Sequence, residues 1–438
     1  MKVLKFGGTS VGSAERMKNL VALIKSNEPK IVVLSAMSGT TNALVEIANA
    51  LYSKENDKAK QLIATLEKKY EGVLKELYSK ESSLNKGKEL VKNHFEFISA
   101  FTLDMFTANE EKAILAQGEL LSTAMEHFYL EEIRIDSVFL PALNFMRIDE
   151  NDEPDLNYIE ENLKAEFKKY PKKKLFITQG YICRNAFGEI DNLKRCGSDY
   201  TATLIGAAFN AEEIQIWTDI DGMHNNDPRM VDKTFPVTEL SYDEAAELAY
   251  FGAKILHPTC VLPAQKRKIP VRLLNTMQPT AKGTVITDKS PSDRITAIAG
   301  KDGIIAIKIK SARMLLAYGF LRNVFEIFER YKTPIDMITT SEVAVSVTID
   351  NDKNLDAIVK ELNEFCSVEI DRDQTIICIV GSFTAEKQGI AVKIFEALST
   401  IPLRMISYGG SENNVSVLVE TKHKKDALVA LNKGLFNL

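Results

Sequence analysis

The chain has 438 residues, 45% of them hydrophobic and 26% charged, with a formal charge of −5. That length predicts more than one domain, each with a sizeable core. No basic arm or stripe points to nucleic acid, and no apolar run reaches membrane-spanning length. The cysteines (Cys183, Cys196, Cys260, Cys366, Cys378) share no metal or redox spacing, which fits a reducing compartment. Lysines at positions 2 and 5 and glycines at 7 and 8 leave no apolar core for a signal peptide, so the expected location is cytoplasmic.

Met1 to Phe6 reads as a short strand, and Ser13 to Ser26 carries apolar residues at helical spacing. Between them, Lys5-Phe6-Gly7-Gly8-Thr9-Ser10-Val11-Gly12 combines glycines, hydroxyls and one lysine. Such glycines allow close backbone approach, and the following helix N-terminus offers free N–H groups to an anion. The lysine precedes the glycines, so this is not the P-loop pattern. Taken alone, the stretch is equally an ordinary strand-to-helix turn.

Ile31 to Ser35 has the composition of a buried strand, followed by the hydroxyl-rich loop Ala36 to Asn42. From Ala43 to about Glu132 the pattern is helical, with a junction at Lys54-Glu55-Asn56-Asp57. Strands are expected at Ile135 to Leu140, Lys174 to Thr178, Ile214 to Thr218 and Ile269 to Leu274. Helices are expected over Tyr158 to Tyr170, from an N-cap at Ser198 to Asn210, and over Ala245 to Phe251 behind the capping box Ser241-Tyr242-Asp243-Glu244. This alternation argues an α/β domain with a mainly parallel sheet. Lys5 to Gly8, Ser35 to Thr41, Gln179-Gly180 and Thr218 to Gly222 each follow the carboxyl end of a predicted strand, the edge where open parallel sheets bind ligands.

Ser290-Pro291-Ser292-Asp293 reads as a linker, and beyond it the chain repeats itself. Gly319 to Ile327 parallels Gly389 to Ala397, and Pro334-Ile335-Asp336-Met337-Ile338 parallels Pro402-Leu403-Arg404-Met405-Ile406. Each copy leads to an alternating strand, Val343 to Ile349 and Val415 to Val419. A glycine turn, helix and strand pair present twice implies two small α+β modules. Facing copies of such a module create a cleft for a small ligand.

KFGGTSV at Lys5, LSAMSGTTN at Leu34, the Gly118-Glu119 pair, RCGSDYTA at Arg195, WTDIDGMHNNDPR at Trp217 and ELAYFGAKILHP at Glu247 together resemble aspartokinase, in order and spacing, over the first 290 residues. The repeat resembles that family's tandem ACT regulatory domains, so the likeness spans essentially the full chain. It implies an α/β amino-acid-kinase fold, an open and mainly parallel sheet between helices, followed by two ferredoxin-like α+β ACT domains. The implied domains are catalytic over 1–290 and regulatory over 295–438, with about 311–378 as one ACT module and 295–310 plus 379–438 as the other.

The resemblance implies transfer of the γ-phosphoryl group of MgATP to the side-chain carboxylate of L-aspartate, giving 4-phospho-L-aspartate. It assigns Lys5 and Asp199 to catalysis. Lys5 would meet the γ-phosphate, and Asp199 would hold Lys5 and the metal-bound phosphates in place. Gly7, Gly8 and Ser35 would donate to ATP, with Thr218, Asp219, His224, Arg229 and Lys254 completing the nucleotide site. Arg195 would grip the substrate α-carboxylate through a bidentate fork, Glu119 would pair with its ammonium, and Thr41 and Ser198 would orient it. Mg²⁺ is expected on phosphate and water, without a protein metal site. His224 stands where the family commonly has tyrosine, and Lys194 and Cys196 replace two glycines of its substrate loop.

For regulation, Met314, Gly319, Phe320, Leu321 and Asp336 match effector positions of the lysine-sensitive class. They imply feedback inhibition by L-lysine rather than L-threonine, although Ala317 and Pro334 stand where that class often has serine. Arg404 replaces Asp336 in the second copy, so the same ligand is not expected there. ACT pairing across subunits implies a homodimer or a dimer of dimers. A non-catalytic amino-acid sensor is opposed by the intact Lys5, Glu119, Arg195 and Asp199. A kinase acting on glutamate is opposed by the ACT repeat and FGAK-x-LHP.

Overall fold

The computed structural model describes residues 1–103, 105–193, 197–252, 256–289, 294–310, 318–382 and 389–438. It divides into two compact units, Met1–Met223 with Leu256–Asp288, and His224–Ile255 with Lys289–Leu438. The predicted linker at 290–293 lies outside the described residues.

The first unit is built on a sheet of β1 (Lys2–Phe6), β2 (Lys30–Leu34), β3 (Val138–Leu140), β4 (Leu175–Gln179), β7 (Glu213–Thr218), β9 (Val271–Asn275) and β10 (Thr284–Thr287). Its order is β3-β4-β2-β1-β7-β9-β10, and every pairing is parallel except that of β10 with β9. Strands covered on both faces need continuous apolar runs rather than alternation. The run KIVVL of β2, buried along its whole length, shows this. The flanking helices are α1 (Ala14–Ile24), α2 (Thr40–Tyr52), α3 (Asn56–Leu77), α4 (Glu81–Ala100), α5 (Ala108–Glu132), α6 (Leu156–Lys168), α7 (Gly197–Phe209) and α9 (Pro258–Arg267). One core joins β1, β2 and β4 to α1 through α5, with Phe6, Val32, Leu44, Tyr70, Phe95 and Ile114 at its centre.

Of the boundaries that differ from the sequence reading, two have a local reason. The strand expected from Ile135 begins only at Val138, because Ile135 N–H bonds Leu130 O and closes α5, with Arg134 left-handed at φ 59°. α6 starts before Tyr158 because the Asp155 carboxylate accepts from Tyr158 N–H as its cap. The short hairpin β5 (Ile182–Arg184) with β6 (Ile190–Asn192) had no clear signal, being so brief.

The second unit opens with β8 (Glu239–Ser241) and α8 (Tyr242–Tyr250), where both halves of the Ser241/Glu244 capping box form. Its sheet runs β12 (Ile338–Thr340), β13 (Ala344–Ile349), β11 (Ile295–Lys310), β14 (Ser367–Gly381), β16 (Asn414–Glu420), β15 (Met405–Tyr408), all antiparallel. The helices are α10 (Phe320–Arg330), α11 (Leu355–Leu362), α12 (Ile390–Ala397) and α13 (Lys424–Phe436). The internal repeat is physical: α10 and α12 each start from a glycine cap, Gly319 at φ 89° and Gly389 at φ 90°.

Each copy has its own core. Ile305, Ile307, Val324, Val345 and Ile358 fill one, and Ile298, Ile377, Ile394, Val417 and Leu428 fill the other. The long strands β11 and β14 pass through both, so Ile305 to Ile309 pack in the first module while Ile377 and Ile379 pack in the second. The modules therefore interleave more deeply than a cut at residue 310 or 378 describes.

Candidate active site

In the first unit, the polar turns after β1, β2 and β4 meet the N-terminus of α7. Lys5, one residue from the end of β1, forms an ion pair with Asp199 at 2.6 Å, their side chains only 10% and 12% exposed. Gly7 and Gly8 follow directly. A Cβ on Gly7 would lie 3.6 Å from Lys5 Nζ, so glycine there leaves the ammonium uncovered. A Cβ on Gly8 would stand 2.9 Å from Ala36 O, so the two turns approach only because it is absent. Ser38 N–H donates to Gly8 O across this contact at 3.1 Å.

Gly118 places Glu119. A Cβ at 118 would sit 2.8 Å from Ala36 Cβ, so glycine lets α5 press against the loop after β2. Glu119 Oε1 accepts from Ala36 N–H at 3.1 Å, while Oε2 is buried with no partner among the described residues. Burial pushes this carboxyl up to about 7, partly offset by the Ala36 N–H and the Lys5 charge. A buried carboxylate with one free oxygen is suited to an incoming ammonium.

Gly180 and Gly197 play the equivalent part at α7. A Cβ on Gly180 would lie 2.4 Å from Ser198 Cβ, and one on Gly197 2.3 Å from the Tyr181 ring. The helix start is thereby drawn onto the end of β4, and Ser198 Oγ comes within 3.3 Å of Ser35 Oγ. The first-turn N–H groups of α7 face no intrahelical acceptor, which suits an anion. Thr41 is exposed in the first turn of α2. Thr218 ends β7 and Asp219 follows it, beside the glycine turn, for Gly7 N–H donates to Trp217 O and Thr218 Oγ1 to Asp219 Oδ1. The first unit thus gathers Lys5, Gly7, Gly8, Ser35, Glu119, Ser198 and Asp199.

His224 and Arg229 belong to the second unit, and Arg195, Lys254 and Met314 lie outside the described residues. His224 Nδ1 is 2.8 Å from Thr234 Oγ1. Arg229, 79% exposed in its side chain, forks onto Asp227 through Nε and Nη2 at 2.9 and 2.8 Å, so a phosphate would share or take it from that carboxylate. Of the effector set, Gly319 caps α10, Phe320 is buried and Leu321 is exposed. The Asp336 side chain is 1% exposed and holds Lys301 and Tyr250.

Several supporting side chains escaped the sequence reading. Ser122 Oγ donates to Ser35 O at 2.8 Å. From α3, Lys69 Nζ donates to Ser38 O at 2.7 Å, and the buried Tyr70 hydroxyl lies 3.0 Å from Thr40 Oγ1. Their only sequence signal was the helical pattern that buries Tyr70. His257 is the N-cap of α9 and accepts from Thr259 N–H.

The amino acid kinase family matches residues 1–275, and the ACT domain matches residues 377–435. Fold and site thus define the class, an amino acid kinase joined to ACT modules. The chain is 31% identical to lysine-sensitive aspartokinase 3 of Escherichia coli over 453 residues, covering 99% of both. It is 34% identical to chloroplastic aspartokinase 3 of Arabidopsis thaliana, covering 99% of this chain and 81% of that one. Among solved structures, E. coli aspartokinase III in complex with aspartate and ADP superposes with a TM-score of 0.86 at 30% identity over the full length of both chains. The same enzyme in complex with lysine and aspartate gives 0.82 at 31%, covering 100% of this chain and 99% of that one. The chain belongs to the aspartokinases.

Proposed function

We propose that this aspartate kinase moves the γ-phosphoryl group of MgATP onto the side-chain carboxylate of L-aspartate within the first unit, using Lys5 and Asp199. The reading is carried by the Lys5–Asp199 ion pair at the glycine turn, beside the α7 N-terminus. The nucleophile is a carboxylate with a free-solution pKa near ~4, ionised already, so no general base is required. The enzyme's work is to bring two anions together and to stabilise charge spread over the transferred group. Lys5 takes that charge, and Asp199 fixes the ammonium in direction. Gly7, Gly8 and Ser35 donate to the phosphates, joined by Thr218, Asp219, His224, Arg229 and Lys254. Glu119 receives the substrate ammonium on its free oxygen, Arg195 takes the α-carboxylate, and Thr41 and Ser198 orient the molecule.

Mg²⁺ enters with the nucleotide on phosphate and water. An ion carried on phosphate and water asks for no cage of protein ligands. We further assign catalysis to 1–290 and regulation to the ACT region, 295–438. There L-lysine, rather than L-threonine, binds at Met314, Gly319, Phe320, Leu321 and Asp336. The E. coli relative solved with lysine supports this choice of effector. The working form is a homodimer through the ACT modules, or a dimer of dimers, in the cytoplasm. No helix among the described residues is long and apolar enough to cross a membrane.

Acyl-phosphate formation trapped with hydroxylamine tests this, with aspartate or glutamate as acceptor and with lysine or threonine added. Product from aspartate, suppressed by lysine alone, is expected. Suppression by threonine alone would overturn the effector, and no hydroxamate from aspartate would overturn the activity.

A further inference from the structure

In the second unit, helix α8 is fastened at three points spaced three residues apart, to β11 and to the loops that carry Ser411 and Asp336. Glu244 accepts from Thr296 Oγ1 on β11 at 2.7 Å, Glu247 from Ser411 Oγ at 3.1 Å, and Tyr250 donates its phenol to Asp336 Oδ1 at 2.6 Å. Just past the helix, a Cβ on Gly252 would meet Gly300 O at 2.5 Å, so the chain there lies against β11. Residues 244, 247 and 250 lie on one helical face. Tyr250, the last of the three, binds Asp336, one of the residues proposed above to hold the effector.

Asp336 is already occupied by a cation of the chain itself. Lys301 Nζ lies 2.8 Å from Asp336 Oδ1 and 2.9 Å from Asp350 Oδ2, and sits 4.4 Å from the centroid of the Tyr250 ring. The register of β11 against β14 slips between Lys301 and Ile304, a bulge that sets the aim of the lysine. Burial works against the Lys301 charge, but its bonds to Asp336 and Asp350 outweigh this and raise its pKa. Asp336 Oδ2 is buried and has no partner among the described residues, leaving one acceptor for an incoming ammonium. Asp350 offers Lys301 a second counter-ion if it is displaced.

We propose that Lys301 is a built-in competitor for the effector's ammonium at Asp336, and that Tyr250 carries the exchange into α8. This rests on Asp336 being the effector carboxylate. An effector ammonium on Asp336 drives Lys301 toward Asp350 and strips the Tyr250 ring of its cation. The phenol bond then holds or releases the end of α8, four residues before Lys254. An effector that binds one arrangement better shifts the balance between them, and only by that difference. Neither Lys301 nor Tyr250 is assigned to catalysis or to ligand contact above, so both can be changed while basal activity is followed.

The test compares Lys301→Met, Lys301→Arg, Tyr250→Phe and Asp336→Asn in the full-length protein, with lysine binding by calorimetry and inhibition of hydroxamate formation read separately. Lys301→Met should keep basal activity and bind lysine about tenfold more tightly, within the usual range for coupled sites. Lys301→Arg should restore the parent response. Tyr250→Phe should bind lysine within about twofold of the parent yet lose more than half of the maximal inhibition. If Lys301→Met does not fold, Tyr250→Phe alone decides. Parent-like lysine responses in Lys301→Met and Tyr250→Phe, with Asp336→Asn insensitive, would overturn the relay and leave the effector site standing. Full lysine sensitivity in Asp336→Asn would overturn both.

Discussion

Lowering the pH should weaken aspartate binding through Glu119. Its side chain is buried, accepts one N–H from Ala36, and keeps one oxygen without a partner among the described residues. Burial raises its pKa from 4.5 to about 7. Below that value the empty site holds a neutral acid, which must lose its proton before it can pair with an ammonium. Aspartate affinity should therefore fall by up to about tenfold per pH unit below about 7, with a proton released on binding. The effect on stability has the opposite sense. A folded pKa above the unfolded one favours the protonated protein, so this contribution is complete below about 4.5 and is lost as the pH rises through about 7. The penalty above that is about 3 kcal/mol, at about 1.4 kcal/mol per pKa unit. Glu119→Gln removes it, so the ligand-free variant should melt a few degrees higher at about pH 8 while binding aspartate weakly and without pH dependence. Calorimetry in two buffers of different ionisation enthalpy counts the protons. About one should be released per aspartate at about pH 6 and almost none at about pH 8. A flat affinity with no proton release over that span would refute the reasoning.

Gly118→Ala should raise KM for aspartate and cost about 1–3 kcal/mol in a urea melt, since its methyl would stand 2.8 Å from Ala36 Cβ. Unchanged KM and stability would show that α5 can retreat. Glu126 is fully buried with neither oxygen partnered among the described residues, and burial pushes its carboxyl up to about 8. Its contribution to stability is present below the ordinary 4.5 and lost as the pH rises through about 8, so Glu126→Gln should flatten the loss of Tm above about pH 8. Tyr70→Phe removes the hydroxyl 3.0 Å from Thr40 Oγ1 and should raise KM for aspartate several-fold with KM for ATP unchanged. An equal rise in both would assign Tyr70 to general stability.

Much of the chain was legible because its structure follows from short local patterns. The glycine turn after β1, the buried run of β2 and the Ser241/Glu244 box each act within a few residues. Parallel strands then bring their carboxyl-end loops together whatever the loops contain. What was not legible depends on distant contacts. Ser122 reaches Ser35 across 87 positions, and Lys69 reaches Ser38 across 31. Interleaving was expected with 295–310 whole in one module, so the division of β11 between two cores was not legible. Lys301 carried no signal in the sequence, and its partners come from the fold around Asp336.

The central claim is transfer of phosphoryl from ATP to the aspartate carboxylate under the charge of Lys5. Phosphorus NMR of ATP and aspartate with the parent protein and with Lys5→Met follows it directly. One acyl phosphate and one ADP should appear per ATP consumed by the parent. Lys5→Met, with its circular dichroism unchanged, should produce neither. Acyl phosphate formed by Lys5→Met at near the parent rate, or free phosphate in place of acyl phosphate from the parent, would contradict the account.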